Sequence, residues 1–121
     1  MARQNDTLAN FAAATNEELS VTTGSTVPAN TDLKTECSPA FLRIQNVGTT
    51  PVFYRLTLQD DAPHSCSTAT GKYTGILAAG DADKDGTGGT ESFAGYTGGL
   101  AFCTASGTGK VNIAFSGRLG D

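Results

Sequence analysis

Residues 41 to 58, FLRIQNVGTTPVFYRLTL, decide the class of fold. Phe41 to Asn46 alternates, with Leu42 and Ile44 on one side and Arg43 and Gln45 on the other. Alternation with a period of two marks a strand with one buried face. Val47-Gly48-Thr49-Thr50 supplies turn residues, and Pro51 stands at a strand start, where its missing N–H does least harm. Val52, Tyr54, Leu56 and Leu58 then alternate along a second strand. Two such runs joined by a short Gly-containing connection predict a β-hairpin.

The same grammar recurs further on. Gly99 to Thr104 reads as a strand with Leu100 and Phe102 inward. Gly107-Thr108-Gly109 is a tight turn, and Lys110 to Phe115 is its partner, with Val111, Ile113 and Phe115 inward. Phe93 and Tyr96 fall in a short strand or packed turn. Short strands, frequent Gly and no long 3.6-residue period predict an all-β fold. The expected form is a small antiparallel β-sandwich or jelly-roll-like barrel with an extended N-terminal arm. Residues 1–30 are polar and weakly patterned and read as an extended arm with one or two short strands; 31–121 read as a single domain with an Asp/Gly-rich insertion at 81–90. Thirty extended residues reach on the order of 100 Å.

Composition narrows the functional classes. Leu, Ile, Val and Phe make up only 23 of 121 residues, yet only 17% are charged. A low apolar fraction without high net charge describes an ordered but thinly cored chain. The net charge of −4 argues against nucleic acid as a partner. No stretch approaches the roughly 18 apolar residues of a membrane helix. The opening MARQNDTLANFAAATNEELS holds no apolar block of signal-peptide length, which predicts synthesis and use without signal-directed export.

The sharpest local motif is Asp81-x-Asp83-x-Asp85-Gly86. Carboxylates at alternate positions before a Gly suit a Ca²⁺ loop. The closing position of an EF-hand holds Ser92, with Glu91 one place early, so the EF-hand pattern itself fails. The plainer reading is a solvated acidic loop, and no cofactor is required. Asp60, Asp61, His64 and Cys66 crowd one stretch, where a surface turn outweighs metal binding or catalysis. Gly107-Thr108-Gly109-Lys110 lacks the first Gly of a phosphate loop and joins two strands, which rejects that reading. Phe93, Tyr96 and Phe102 suit core or interface better than a sugar-stacking platform. Cys37, Cys66 and Cys103 match no zinc spacing. An odd count without a leader favours reduced thiols, with one disulfide formed outside the cell as the alternative.

Leu42-x-Ile44-x-Asn46-x-Gly48-x-x-Pro51-Val52-x-Tyr54-x-Leu56 resembles the first hairpin of small virion proteins of tailed phages. Ile76 to Gly80, Leu100-Ala101-Phe102 and Ser106 to Ile113 are similar to their closing half, so the resemblance spans roughly residues 40 to 116. The insertion at 81–90, the three cysteines and the longer arm depart from the pattern. The resemblance implies a head decoration, or cement, protein on the outer capsid surface, made in the host cytoplasm. Its implied partners are the major capsid protein and itself as a homotrimer, with neither nucleic acid nor membrane. Attachment would run through the arm, with Leu8, Phe11, Leu19 and Val21 as contacts, and no enzymatic activity is expected. A tail or baseplate module, or a calcium-assisted glycan or cell-surface binder, are the alternatives. Deleting residues 1–30 is expected to leave a folded domain without capsid binding. Leu42, Ile44, Val52, Leu56, Leu100, Phe102, Val111, Ile113 and Phe115 are expected in the core.

Overall fold

The computed structural model describes residues 15–28, 41–57, 65–80, 88–94 and 98–115. Seven strands run in chain order: β1 Thr15–Val21, β2 Phe41–Asn46, β3 Val52–Thr57, β4 Gly75–Leu77, β5 Thr90–Ala94, β6 Gly99–Cys103 and β7 Gly109–Phe115. They form a four-stranded sheet ordered β1-β7-β2-β5 and a three-stranded sheet ordered β4-β3-β6. Every pairing between these strands is antiparallel. The fold is a small all-β sandwich.

One face of each sheet meets in the core. Val21, Leu42, Ile44, Val111, Ile113 and Phe115 come from the first sheet; Val52, Tyr54, Leu77, Leu100 and Phe102 come from the second. Alternation in β2 carries this directly, since Leu42, Ile44 and Asn46 are buried while Arg43 is exposed. Eight of the nine residues expected in the core are buried, and the ninth, Leu56, packs against it half-buried. β6 is buried on both faces. Its outer side, Ala101 and Cys103, lies under Cys66, Val27, Phe53 and Tyr73. The Phe53 and Tyr73 rings meet edge to face at 4.9 Å between centroids, the geometry that the ring quadrupoles favour.

Two expectations are corrected. The strands of the two expected hairpins exist, but neither pair is hydrogen-bonded together. β2 pairs with β5 and β7, and β3 pairs with β4 and β6. The short connections 47–51 and 104–108 are therefore corners that carry the chain from one sheet to the other. An inward-facing alternation satisfies a sandwich corner as well as a hairpin, so strand pattern alone does not separate them. The second correction concerns the arm. Residues 15–28 belong to the sandwich: β1 pairs with β7 over seven positions, and Val21 is fully buried in the core. The chain then crosses to the second sheet, where Thr26 and Phe102 exchange backbone hydrogen bonds of 2.8 Å. Residues 1–14 lie outside the described residues.

Asn46 holds the first corner. Its side chain is buried at the end of β2. Nδ2 donates to the carbonyls of Thr50 at 2.8 Å and Leu77 at 3.2 Å, while Oδ1 accepts from the Gly48 N–H at 2.9 Å. Around it, the Asn46 N–H donates to Gly89 O, Val47 N–H to Lys110 O, and Gly80 N–H to Gly48 O, at 2.9, 3.0 and 2.7 Å. Four chain segments, 46–50, 77–80, Gly89 and Lys110, thus meet at one carboxamide and its neighbouring backbone. Gly88 lets them approach, because a Cβ there would collide with the Asn46 backbone carbonyl and stand 3.0 Å from Ala78 O.

Asn46→Ala strips the donors from two carbonyls, one of them in the other sheet. A buried group left unsatisfied costs about 1–3 kcal/mol, so urea titration is expected to show a loss of that size or larger. Asn46→Asp is expected to cost more at neutral pH, since a carboxylate would face the same two carbonyl oxygens without a proton to donate.

Candidate functional site

The sandwich has two unlike ends. At one, the corner end, lie the connections 47–51 and 104–108 and the two feet of the 81–87 segment. Those feet are pinned together, with Gly89 N–H donating to Ala78 O at 2.9 Å. The other end is fixed by register: Thr15 lies opposite Phe115, Leu42 opposite Phe115, Phe41 opposite Ala94, and Thr57 opposite Gly99. Residues 1–14 join the sandwich there at Thr15, and 116–121 leave it there at Phe115. Segments 29–40, 58–64 and 95–97 also run from strand ends at this terminal end. Their sequences mix charges of both signs with Leu8, Phe11, Leu33, Leu58 and Leu119.

The expected contact residues divide accordingly. Leu8 and Phe11 lie outside the described residues. Leu19 packs half-buried against the core from edge strand β1, and Val21 is fully buried within it, so Val21 is corrected from a contact residue to a fold residue. Asp81, Asp83 and Asp85 lie outside the described residues, as do Asp60, Asp61 and His64. Among the described residues no group of three or more His, Cys, Asp or Glu side chains is arranged to hold a metal ion. Phe102 is fully buried and Phe93 packs half-buried beside Tyr54, with ring centroids 6.4 Å apart; Tyr96 lies outside. Gly107 occupies a corner with φ +73°, a backbone shape that glycine tolerates, and the Thr104 hydroxyl donates to its carbonyl at 2.8 Å.

One chemical feature escaped the sequence reading. Cys66 and Cys103 are buried and reduced, with their sulfurs 3.4 Å apart. Cys103 is fixed in β6. Cys66 sits in the 65–73 segment and is held to the chain after β1 by Ser25, whose hydroxyl donates to Cys66 O at 2.9 Å and accepts from its N–H at 3.0 Å. Burial pushes the Cys66 thiol up to about 12, neighbouring Cys103 adds to the effect, and Arg55 opposes it. Burial also raises Tyr54, reinforced by the Glu91 charge. Thirty-seven positions separate the cysteines, so no local spacing signals the pair. Only the strand alternation that buries Leu100 and Phe102 on one face of β6 hinted that Cys103 faces the other.

Comparison of the chain with known families, with curated proteins and with solved structures finds no match. The class of protein this fold defines is a small antiparallel β-sandwich with corner connections between its two sheets at one end and Thr15 paired with Phe115 at the other.

The two raised pKa values set a sign for pH dependence. A group that binds its proton more tightly when folded contributes stability that is present below its unfolded pKa and lost as pH rises through the folded one. For Cys66 that window runs from the free-thiol value of 9.0 to about 12; Tyr54 acts in the same sense above its ordinary 10.0. Thermal melts are expected to fall as pH rises above 9. Tyr54→Phe is expected to flatten the decline; an equally steep decline in that variant assigns the lability elsewhere.

Proposed function

We propose that this chain is a structural virion protein that decorates the outside of a tailed-phage capsid. It stabilises the shell by bridging neighbouring major capsid subunits, and it assembles as a homotrimer. The resemblance of residues 40–116 to small virion proteins supports this reading. The observation that carries it is the pairing of Thr15 with Phe115, which brings the two points where the flanking segments meet the sandwich to one end. Segments that leave one end of a compact body reach different neighbours on the surface below it. Several weak contacts made together by one body bind far more tightly than any alone, because each later contact forms at high effective concentration. A thin core is tolerable in such a role, since binding to a partner adds to the stability of the folded state.

The attachment segment is residues 1–14, shortened from the arm expected by sequence. The full chain is expected to co-sediment with purified heads of the source phage. A chain beginning at Thr15 is expected to melt as the full chain does and to lose at least tenfold in head occupancy. A chain beginning at Pro28 lacks β1 and is expected not to fold. Full occupancy by the shortened chain removes residues 1–14 from the interface. Immunogold label confined to tails would replace decoration with a tail or baseplate role, and particles without label would favour the glycan or cell-surface reading.

A further inference from the structure

We infer that Cys66 and Cys103 form a covalent modification site: the pair closes into a disulfide that staples the 65–73 segment onto β6. The geometry carries this. The sulfurs are 3.4 Å apart, and a disulfide spans about 2.05 Å, a closure within the reach of side-chain rotation. The two backbones come from separate segments and are each anchored. Cys103 pairs with Phe53 in the β3–β6 ladder, while Cys66 is clasped by Ser25 on both its N–H and its carbonyl. The segment bearing Cys66 keeps its shape through its own turn, in which Lys72 N–H donates to Ala69 O and Ser67 N–H to Lys72 O. Val27, Phe53 and Tyr73 surround the pair, so the sulfurs face each other in an apolar pocket with little access for a competing reagent.

The oxidant is a low-molecular-weight disulfide such as oxidised glutathione. One cysteine, as thiolate, attacks a sulfur of the reagent; the reagent S–S bond breaks and one reagent thiol leaves with the proton. The second cysteine then attacks the protein-bound sulfur of the mixed disulfide, and the second reagent thiol leaves with the second proton. Two protein sulfurs are oxidised and two reagent sulfurs reduced, so the exchange balances. Buried thiols react slowly, so exchange takes place while the chain folds or when the 65–73 segment opens locally. Once closed, the bond links positions 37 apart, and stabilisation by a cross-link grows with the length of chain it encloses. A reducing cytoplasm keeps the pair open and an oxidising exterior closes it. The inference is independent of the surface to which the protein attaches.

The test refolds the full-length Cys37→Ser chain in a glutathione redox buffer, compared with the same chain in dithiothreitol. Intact mass is expected to fall by two hydrogens, with Cys66 and Cys103 recovered as one cross-linked peptide. The oxidised form is expected to melt on the order of 10 °C higher than the reduced form. The chain carrying all three cysteines is expected to give the same cross-linked peptide, which keeps the result independent of the substitution. Cys66→Ser and Cys103→Ser are each expected to abolish the mass loss. Two titratable thiols after refolding, persistent glutathione adducts, or a bond to Cys37 in the unaltered chain would overturn the assignment. A bond that forms without raising the melting temperature would overturn the stapling role.

Discussion

The carboxamide of Asn46 is the constraint on which the sandwich depends. A corner between two sheets interrupts both hydrogen-bond ladders at once and turns backbone amides and carbonyls into a region that side chains have closed to water. Each of those groups needs a partner, because a buried polar group without one costs more than a made hydrogen bond gains. Asn46 answers with one acceptor and two donors in a single plane. It satisfies its own turn through Gly48 and Thr50 and reaches the opposite sheet at Leu77. A Leu in its place would pack well and satisfy nothing. The glycines beside it follow from the same crowding, since backbone from the β4–β5 connection is packed against the corner.

That corner is what lets so few large apolar residues make an ordered core. The internal face of each sheet is short, and eleven buried side chains form the main cluster. Crossing between sheets at four of the six connections makes most strands' neighbours distant in sequence, so the core is assembled from contacts between distant segments. The second cluster extends burial to the outer face of β6. It makes β6 the most enclosed of the described strands and places Cys66 where burial disfavours its ionised form, against the opposing influence of Arg55.

The same topology gives the sandwich two unlike ends. Backbone hydrogen bonds cross-brace the corner end, and the pairing of Thr15 with Phe115 closes the other. β1 runs from one end to the other, and its seven pairings with β7 extend from Val21 to Thr15.

Local chemistry was enough to read the strands. The alternation of Leu42 and Ile44, of Val52 and Tyr54, of Leu100 and Phe102, and of Val111, Ile113 and Phe115 reports a one-sided burial that needs no knowledge of partners. It therefore determined the class of fold and most of the core. It did not determine which strand lies beside which. A turn such as 47–50 fits a hairpin or a corner equally, and the choice depends on what Asn46 meets, which is Leu77, distant in the chain. β1 was missed as part of the sandwich because its inward residues are spaced among polar ones and its stability comes from β7 rather than from its own pattern. The thiol pair was invisible for the same reason: proximity between Cys66 and Cys103 is created by the covering of β6, and no spacing in the chain encodes it. Sequence alone fixed what each residue prefers to face; only the tertiary structure decided what it faces, because pairing across a sandwich is a property of distant segments acting together.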